Sequence, residues 1–260
     1  MSSFTRIRRA GFVNCYLVEE NDGLTAIDTN LGGSAKRIVR AAGVIGKPIT
    51  RIILTHGHAD HVGSLDALAE AVPDAEIFIT ARDARFVAGD KSLDDDEQPQ
   101  KLAGSWKQCD AKPDRLVNDG ELIGSLQVVF APGHTPGHIA LLDTRDKTLF
   151  CGDVYSTWGG LATSSLLNPL FPLVAPGTWN KQVNLDSARK LVALEPARLA
   201  PGHGRVIENP VNDMELVIEK AARKIEGHGS PAERTARAQN DAPAPAEEAA
   251  EQTATETQKS

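Results

Sequence analysis

Ile52-Ile53-Leu54-Thr55-His56-Gly57-His58-Ala59-Asp60-His61 sets a short apolar run against four metal-binding side chains within six residues. The run is too short for a helix but suits a buried strand, so the cluster is expected where a strand ends and turns. Three further candidate ligands stand in the same local setting, each after a short apolar stretch and beside glycine. They are His134 in Pro132-Gly-His-Thr-Pro-Gly-His138, Asp153 in Cys151-Gly-Asp-Val-Tyr155 and His203 in Pro201-Gly-His-Gly204. Seven ligand-type residues in one repeated context predict a metal centre built on loops at one edge of a sheet.

The spacing divides the ligands between two ions. His56 and His58 are two apart, so on a turning backbone both reach one ion, while Asp60 and His61 lie further round and address a second. One loop rarely completes a site, because three or four ligands are needed per ion. His134 finishes the first set and His203 the second, and Asp153, with two oxygens, bridges the pair. Imidazole and carboxylate donors suit Zn2+ and comparable divalent ions. Two ions ~3.5–4 Å apart would hold a hydroxide as nucleophile, since metal binding brings the pKa of water to ~7. For Asp60 alone, a helix N-cap is the competing reading. His138, four residues after His134, is read as supporting the ligands, and Cys151 as a small core residue.

Bulk properties bound the rest. A chain of 260 residues with 41% hydrophobic and 24% charged content can bury a large core as one domain or two packed halves. The net charge of −7 with no basic stripe argues against nucleic acid as a partner. No window of ~20 apolar residues is available for a membrane span, and no apolar stretch behind the N-terminal arginines suits a signal peptide. Three widely spaced cysteines (Cys15, Cys109, Cys151) are expected as reduced thiols, which gives a cytoplasmic expectation.

Along the chain, Phe12–Val18 and Leu24–Ile27 read as a hairpin through Asn21-Asp22-Gly23. A helix follows from Ser34 to Ala42. The strand 51–54 leads into the metal cluster, then a single helix 61–72, a strand 76–80 and a short helix 82–87. The acidic run within 90–100 is expected as a solvated surface loop. Strands at 114–117, 126–131, 139–143 and 148–151, a helix 177–194, a short strand at 199–200 and a helix 211–225 complete the pattern. Two similar halves of strands and helices predict an α/β fold with two sheets face to face, covered by helices. Residues 1–228 are expected as the folded domain. Residues 229–260, rich in Ala, Glu and Pro, contain no large apolar side chain and are expected as a disordered tail.

The cluster resembles the hallmark of the metallo-β-lactamase-fold superfamily, a His-x-His-x-Asp-His motif followed by a separate His, a bridging Asp and a final His. His56, His58, Asp60, His61, His134, Asp153 and His203 match it, and the resemblance spans about residues 10–226. It implies a four-layer αββα sandwich and a dinuclear centre. Asp28 in Ile27-Asp28-Thr29 is similar to the family's Asp-Thr-Gly element, with Asn30 in place of glycine, and is read as supporting the ligands. Tyr155 resembles the tyrosine near the bridging aspartate of the lactonases, one residue closer to it, and is carried over with Asp60 as a catalytic candidate.

Within the superfamily, the absence of an export signal and of the expected cysteine turns the reading away from antibiotic hydrolysis. His58 stands where the flavodiiron branch has glutamate. What remains resembles the glyoxalase II-like and lactonase-like hydrolases, which implies an ester, lactone or thioester of a small acyl substrate. The apolar segment 156–176 is expected as a pocket wall or lid, a homodimer contact, or core packing. The rival readings are a mononuclear iron dioxygenase acting on a persulfide and a non-catalytic binding module.

Overall fold

Backbone alternation builds the molecule from two sheets. In a computed structural model describing residues 4–226, the first sheet runs in the order β1 (Phe4–Arg9), β2 (Val13–Glu19), β3 (Leu24–Ile27), β4 (Ile49–Ile53), β5 (Glu76–Thr80) and β6 (Arg115–Val117). The first three strands pair antiparallel and the last four parallel. The second sheet contains β7 (Leu122–Ile123), β8 (Leu126–Phe130), β9 (Ile139–Asp143) and β10 (Thr148–Gly152). A small ribbon of β11 (Tyr155–Ser156) and β12 (Ala162–Thr163) leads on to β13 (Arg198–Pro201) and β14 (Ile207–Glu208), which extend that sheet beyond β10. The expected tail 229–260, the boundary at 228 and His228 lie outside the described residues.

Because successive strand residues point to opposite faces, each strand serves two cores. Tyr16, Val18, Ile27, Ile53 and Phe78 meet Val128, Ile139, Leu141 and Phe150 between the sheets. Their neighbours Cys15, Leu17, Ile52, Ile77 and Ile79 face outward against α1 (Ala35–Ile45) and the helices α2 (Ala59–Val62) and α3 (Leu65–Ala71). After α4 (Ala81–Val87), the second outer layer packs Val129, Ala140, Leu142, Leu149 and Cys151 against α5 (Lys181–Val192) and α6 (Val211–Glu226). Three cores between four layers make the αββα sandwich. Cys15, Cys109 and Cys151 are free and buried, and no helix among the described residues is long and apolar enough to cross a membrane.

Several boundaries differ from the sequence reading. The edge strand β1 was not expected, because Thr5-Arg6-Ile7-Arg8-Arg9 carries too little apolar alternation. The single helix over 61–72 is two helices, broken at Gly63-Ser64. The 30–32 loop crosses there, so a Cβ on Gly63 would stand 2.6 Å from the Gly32 nitrogen and 2.7 Å from the Asn30 oxygen. The helix expected from Gly177 begins at Lys181, where the Asn180 side chain accepts from the Gln182 and Val183 amides at 3.0 and 3.1 Å. The acidic run is not simply solvated. Glu97 and Asp94 close a capping box, and they pair with Arg82 and Arg85 of α4.

Candidate metal centre

Every candidate ligand leaves the end of a strand on the same edge of the sandwich. His56–His61 follow β4, with His58 preceding α2. His134 lies between β8 and β9, Asp153 follows β10 and His203 follows β13. Parallel pairing of β3 with β4 and of β10 with β13 brings these strand ends together. Asp60 is the second residue of α2 and His58 holds the N-cap position, so the competing N-cap reading of Asp60 fails.

The structure brings the seven side chains into contact. Ligand-type atoms of His56, His58 and His134 lie within 4.8 Å of one another, as do those of Asp60, His61 and His203. His58 Nδ1 faces His134 Nε2 at 3.0 Å. Asp153 stands between the sets, with Oδ2 at 3.4 Å from His134 Nε2 and 3.1 Å from His203 Nε2, and Oδ1 at 3.4 Å from His61 Nε2. Asp60 Oδ2 lies 3.3 Å from His203 Nε2. His56 Nε2, His61 Nε2 and Asp153 Oδ1 are buried without a hydrogen-bond partner. Such orphans are costly unless something else satisfies them, and a cation held among neutral imidazoles and carboxylates does so. The donor set therefore fits divalent metal.

The far side of each ring fixes which nitrogen points inward. His61 Nδ1 donates to Asp28 Oδ2 at 2.7 Å. Thr55 donates its single hydroxyl proton to Asp28 Oδ2 at 2.8 Å and is thereby left to accept from His56 Nδ1 at 3.0 Å. Thr178 likewise donates to the Ser164 carbonyl at 3.0 Å and accepts from His134 Nδ1 at 3.0 Å. His58 Nε2 donates to the Ala103 carbonyl at 3.1 Å. Asp28, at φ +59°, thus orients His61 directly and His56 through Thr55. His138 Nε2 accepts from the Asp153 amide at 3.0 Å, which holds the bridging residue's backbone.

The electrostatics separate the two sets. Burial holds His56 and His134 well below the ordinary imidazole range, aided by the neighbouring histidines, and brings His58 to about 4. Against the same burial, the carboxylates of Asp153, Asp28 and Asp60 raise His61 well above that range. Asp153 and Asp60 raise His203 to about 9. Despite burial, His61 and His203 keep Asp60 and Asp153 below the usual carboxylate range.

Two residues change standing. Tyr155, carried over as catalytic, is fully buried in the core against α5 and α6, and its hydroxyl donates to the Ala188 carbonyl at 2.8 Å. It does not line the pocket over the cluster. The strand pair β11–β12 turns its ring inward, so packing is its role. Sequence reasoning missed Asp83, which is fully buried on α4. Its oxygens accept from the Gly57 amide, the Gly137 amide and the Thr135 hydroxyl, each at 2.8 Å, clamping the His56–His58 loop to the His134 loop. Burial raises its carboxyl to about 6. Its sole sequence signal is an acid one turn into a helix that follows a strand.

The sequence matches the Metallo-beta-lactamase superfamily over residues 8–203, and the chain belongs to that superfamily. An uncharacterized protein of Bacillus subtilis, YobT, is 45% identical over 212 residues, covering 81% of this chain and 91% of that protein. The hydroxyacylglutathione hydrolase GloC of Haemophilus influenzae is 33% identical over 147 residues, covering 54% of this chain and 66% of that protein. Among solved structures, TTHA1623 in a di-iron-bound form is similar with a TM-score of 0.61 and 26% identity, covering 80% of this chain and 96% of that chain. The superfamily consists mostly of metal-dependent hydrolases, and the His and Asp cluster here is of a kind that binds metal.

Proposed function

We propose that this chain is a dinuclear metal-dependent hydrolase that cleaves the carbonyl of an ester, lactone or thioester of a small acyl substrate. The observation that carries the reading is the pair of ligand sets sharing Asp153, with buried, unpartnered nitrogens and oxygen aimed between them. His56, His58, His134 and Asp153 would hold one ion, and Asp60, His61, His203 and Asp153 the other, with zinc the metal that suits this nitrogen and oxygen donor set. Bound ions supply polarisation of the carbonyl and a water acidified toward neutrality.

The chain's own groups do the rest. Asp60, 31% exposed, lines the pocket beside the ligands and is placed to orient the attacking water and pass its proton to the leaving group. The paired far-side contacts of the imidazoles keep the cluster rigid, so little reorganisation accompanies reaction. Phe12, Leu31, Leu173 and Val174 line the same cavity and keep bulk water from the reacting carbonyl. The rival reading, a one-iron persulfide dioxygenase, keeps a similar ligand set but binds its ion through two histidines and one aspartate, so metal content separates the two. Three buried free cysteines support a cytoplasmic setting.

Metal analysis of protein purified from its own host, with a panel of lactones, esters, thioesters and cephalosporins, tests the proposal. Two zinc ions per chain and turnover of an acyl substrate are expected. One iron per chain, with oxygen consumption on a persulfide, overturns it.

A further inference from the structure

The cavity over the ligand cluster has a volume of about 250 Å³, below the ~300–1,000 Å³ usual for drug-sized ligands. Its lining beyond the metal-binding set is apolar or small, with Phe12, Leu31, Leu173 and Val174 as the large side chains, and among the described residues it contains no lysine or arginine. Carboxylates and phosphates are ordinarily recognised by guanidinium or ammonium groups. A thiol carrier bearing such groups finds no counter-charge on these walls.

The apolar side is built rather than incidental. Phe12, in the turn between β1 and β2, lies nearly parallel to the ring of His203, at 6.1 Å and 27°. It also meets Phe171 edge-on at 5.3 Å and Trp158 at 6.1 Å, and Phe171 lies 5.6 Å from His203. The aromatic stack therefore rests directly on a ligand imidazole. Leu173 lines the cavity and is nonetheless 59% exposed, so the apolar surface continues from the ligands to the mouth. An apolar surface that runs from the ligands to the mouth offers an acyl chain a wall to lie along.

We propose that this site takes a neutral carboxylic ester or lactone whose acyl chain lies along the Phe12–Leu173 wall, and that thioesters of anionic thiols are poor substrates. The inference rests on the hydrolytic reading above. In the step, the oxygen of water bonds to the acyl carbon and the carbon–oxygen bond to the leaving alcohol breaks. One water proton ends on the alcohol and the other ionises from the carboxylic acid product.

Two series on the zinc-loaded full chain test it. With p-nitrophenyl esters from acetate to octanoate, kcat/KM should rise about two- to fourfold per methylene until the wall is filled. Leu173→Ala, on an exposed loop where folding is not at stake, should lower the octanoate-to-acetate ratio by about threefold or more. Hexanoyl thioesters of N-acetylcysteamine, glutathione and coenzyme A then compare one acyl group on neutral and anionic thiols. The neutral thioester should be turned over better than the glutathione and coenzyme A thioesters, by about tenfold or more. A flat chain-length series, or an anionic thioester turned over as well as the neutral one, overturns the proposal.

If no acyl compound is turned over, the hydrolytic reading falls, and the wall is judged by calorimetry of acetate, butanoate, hexanoate and octanoate. Affinity rising with chain length and weakened by Phe12→Ala sustains the wall. Equal affinity across the series removes it.

Discussion

His56, His58 and His134 have ring centroids 4.7–5.0 Å apart, and His56 also lies 4.1 Å from His61, whereas it is His61 and His203 that share the carboxylates of Asp28, Asp60 and Asp153. The first set is buried imidazole without enough negative charge to keep protons. The second is imidazole held protonated by its neighbours. Two half-sites in one pocket therefore present opposite starting states to a metal ion. Since a ligand must be deprotonated to bind, the first half-site is ready for its ion and the second exchanges protons for it.

Asp153 is what the halves share, so its loss has the largest expected effect. Asp153→Ala removes the oxygen near His134 and His203 and the oxygen near His61 together. Metal content should fall to one ion or fewer, and turnover by about a thousandfold. Near-normal activity in that variant sinks the shared-carboxylate scheme.

Gly202→Ala should divide the halves sterically. A Cβ there would stand 2.6 Å from His61 Cε1 and closer still to Asp153 Oδ1, while no atom of His56, His58 or His134 is among its nearest neighbours. The second ion should weaken by about 100-fold and the first by much less, as for other changes that displace a ligand without deleting it. Equal loss of both ions, measured by competition with a chelating dye, would merge the half-sites into one unit.

The protonation contrast sets a third, smaller effect. His58 titrates at about 4, and His56 and His134 are also lowered, so the first set is neutral above about pH 5. His61 is raised and His203 titrates at about 9, so both hold protons at pH 7. Affinity for the second ion should therefore climb as pH rises toward 9, by about tenfold per pH unit for each proton released, while that for the first stays flat. Calorimetry in buffers of different ionisation enthalpy reads the protons directly, and proton release with the first ion would reverse the assignment.

What made this centre legible was chemistry concentrated in short segments. Four ligands in six residues after Ile52-Ile53-Leu54, and the short unbroken apolar runs within Glu76–Thr80 and Ile139–Asp143, pointed to the site and the strands that carry it. What escaped depended on distant neighbours. The Gly63 break exists because the 30–32 loop crosses it, and the clamp at Asp83 exists because Gly57, Thr135 and Gly137 converge on it. The edge strand β1 is recruited by β2 rather than by its own pattern. Tyr155 shows the converse, since closeness to Asp153 in sequence says nothing about which way a two-residue strand turns its ring.

That last contrast yields the smallest expected effect. Tyr155 contributes a packed ring and one hydrogen bond, from its hydroxyl to the Ala188 carbonyl. Tyr155→Phe keeps the ring and removes the bond, at a cost of about 1 kcal/mol of stability. Because the hydroxyl faces α5 and not the ligand cavity, kcat/KM and metal content should stay at their wild-type values. Metal-binding half-sites that respond to Asp153 and Gly202 but not to Tyr155 would locate the chemistry on the strand-end loops. A tenfold or greater loss of kcat at unchanged stability would instead return the tyrosine to the reacting groups, and would mean that β11 swings its ring toward the ligands when substrate binds.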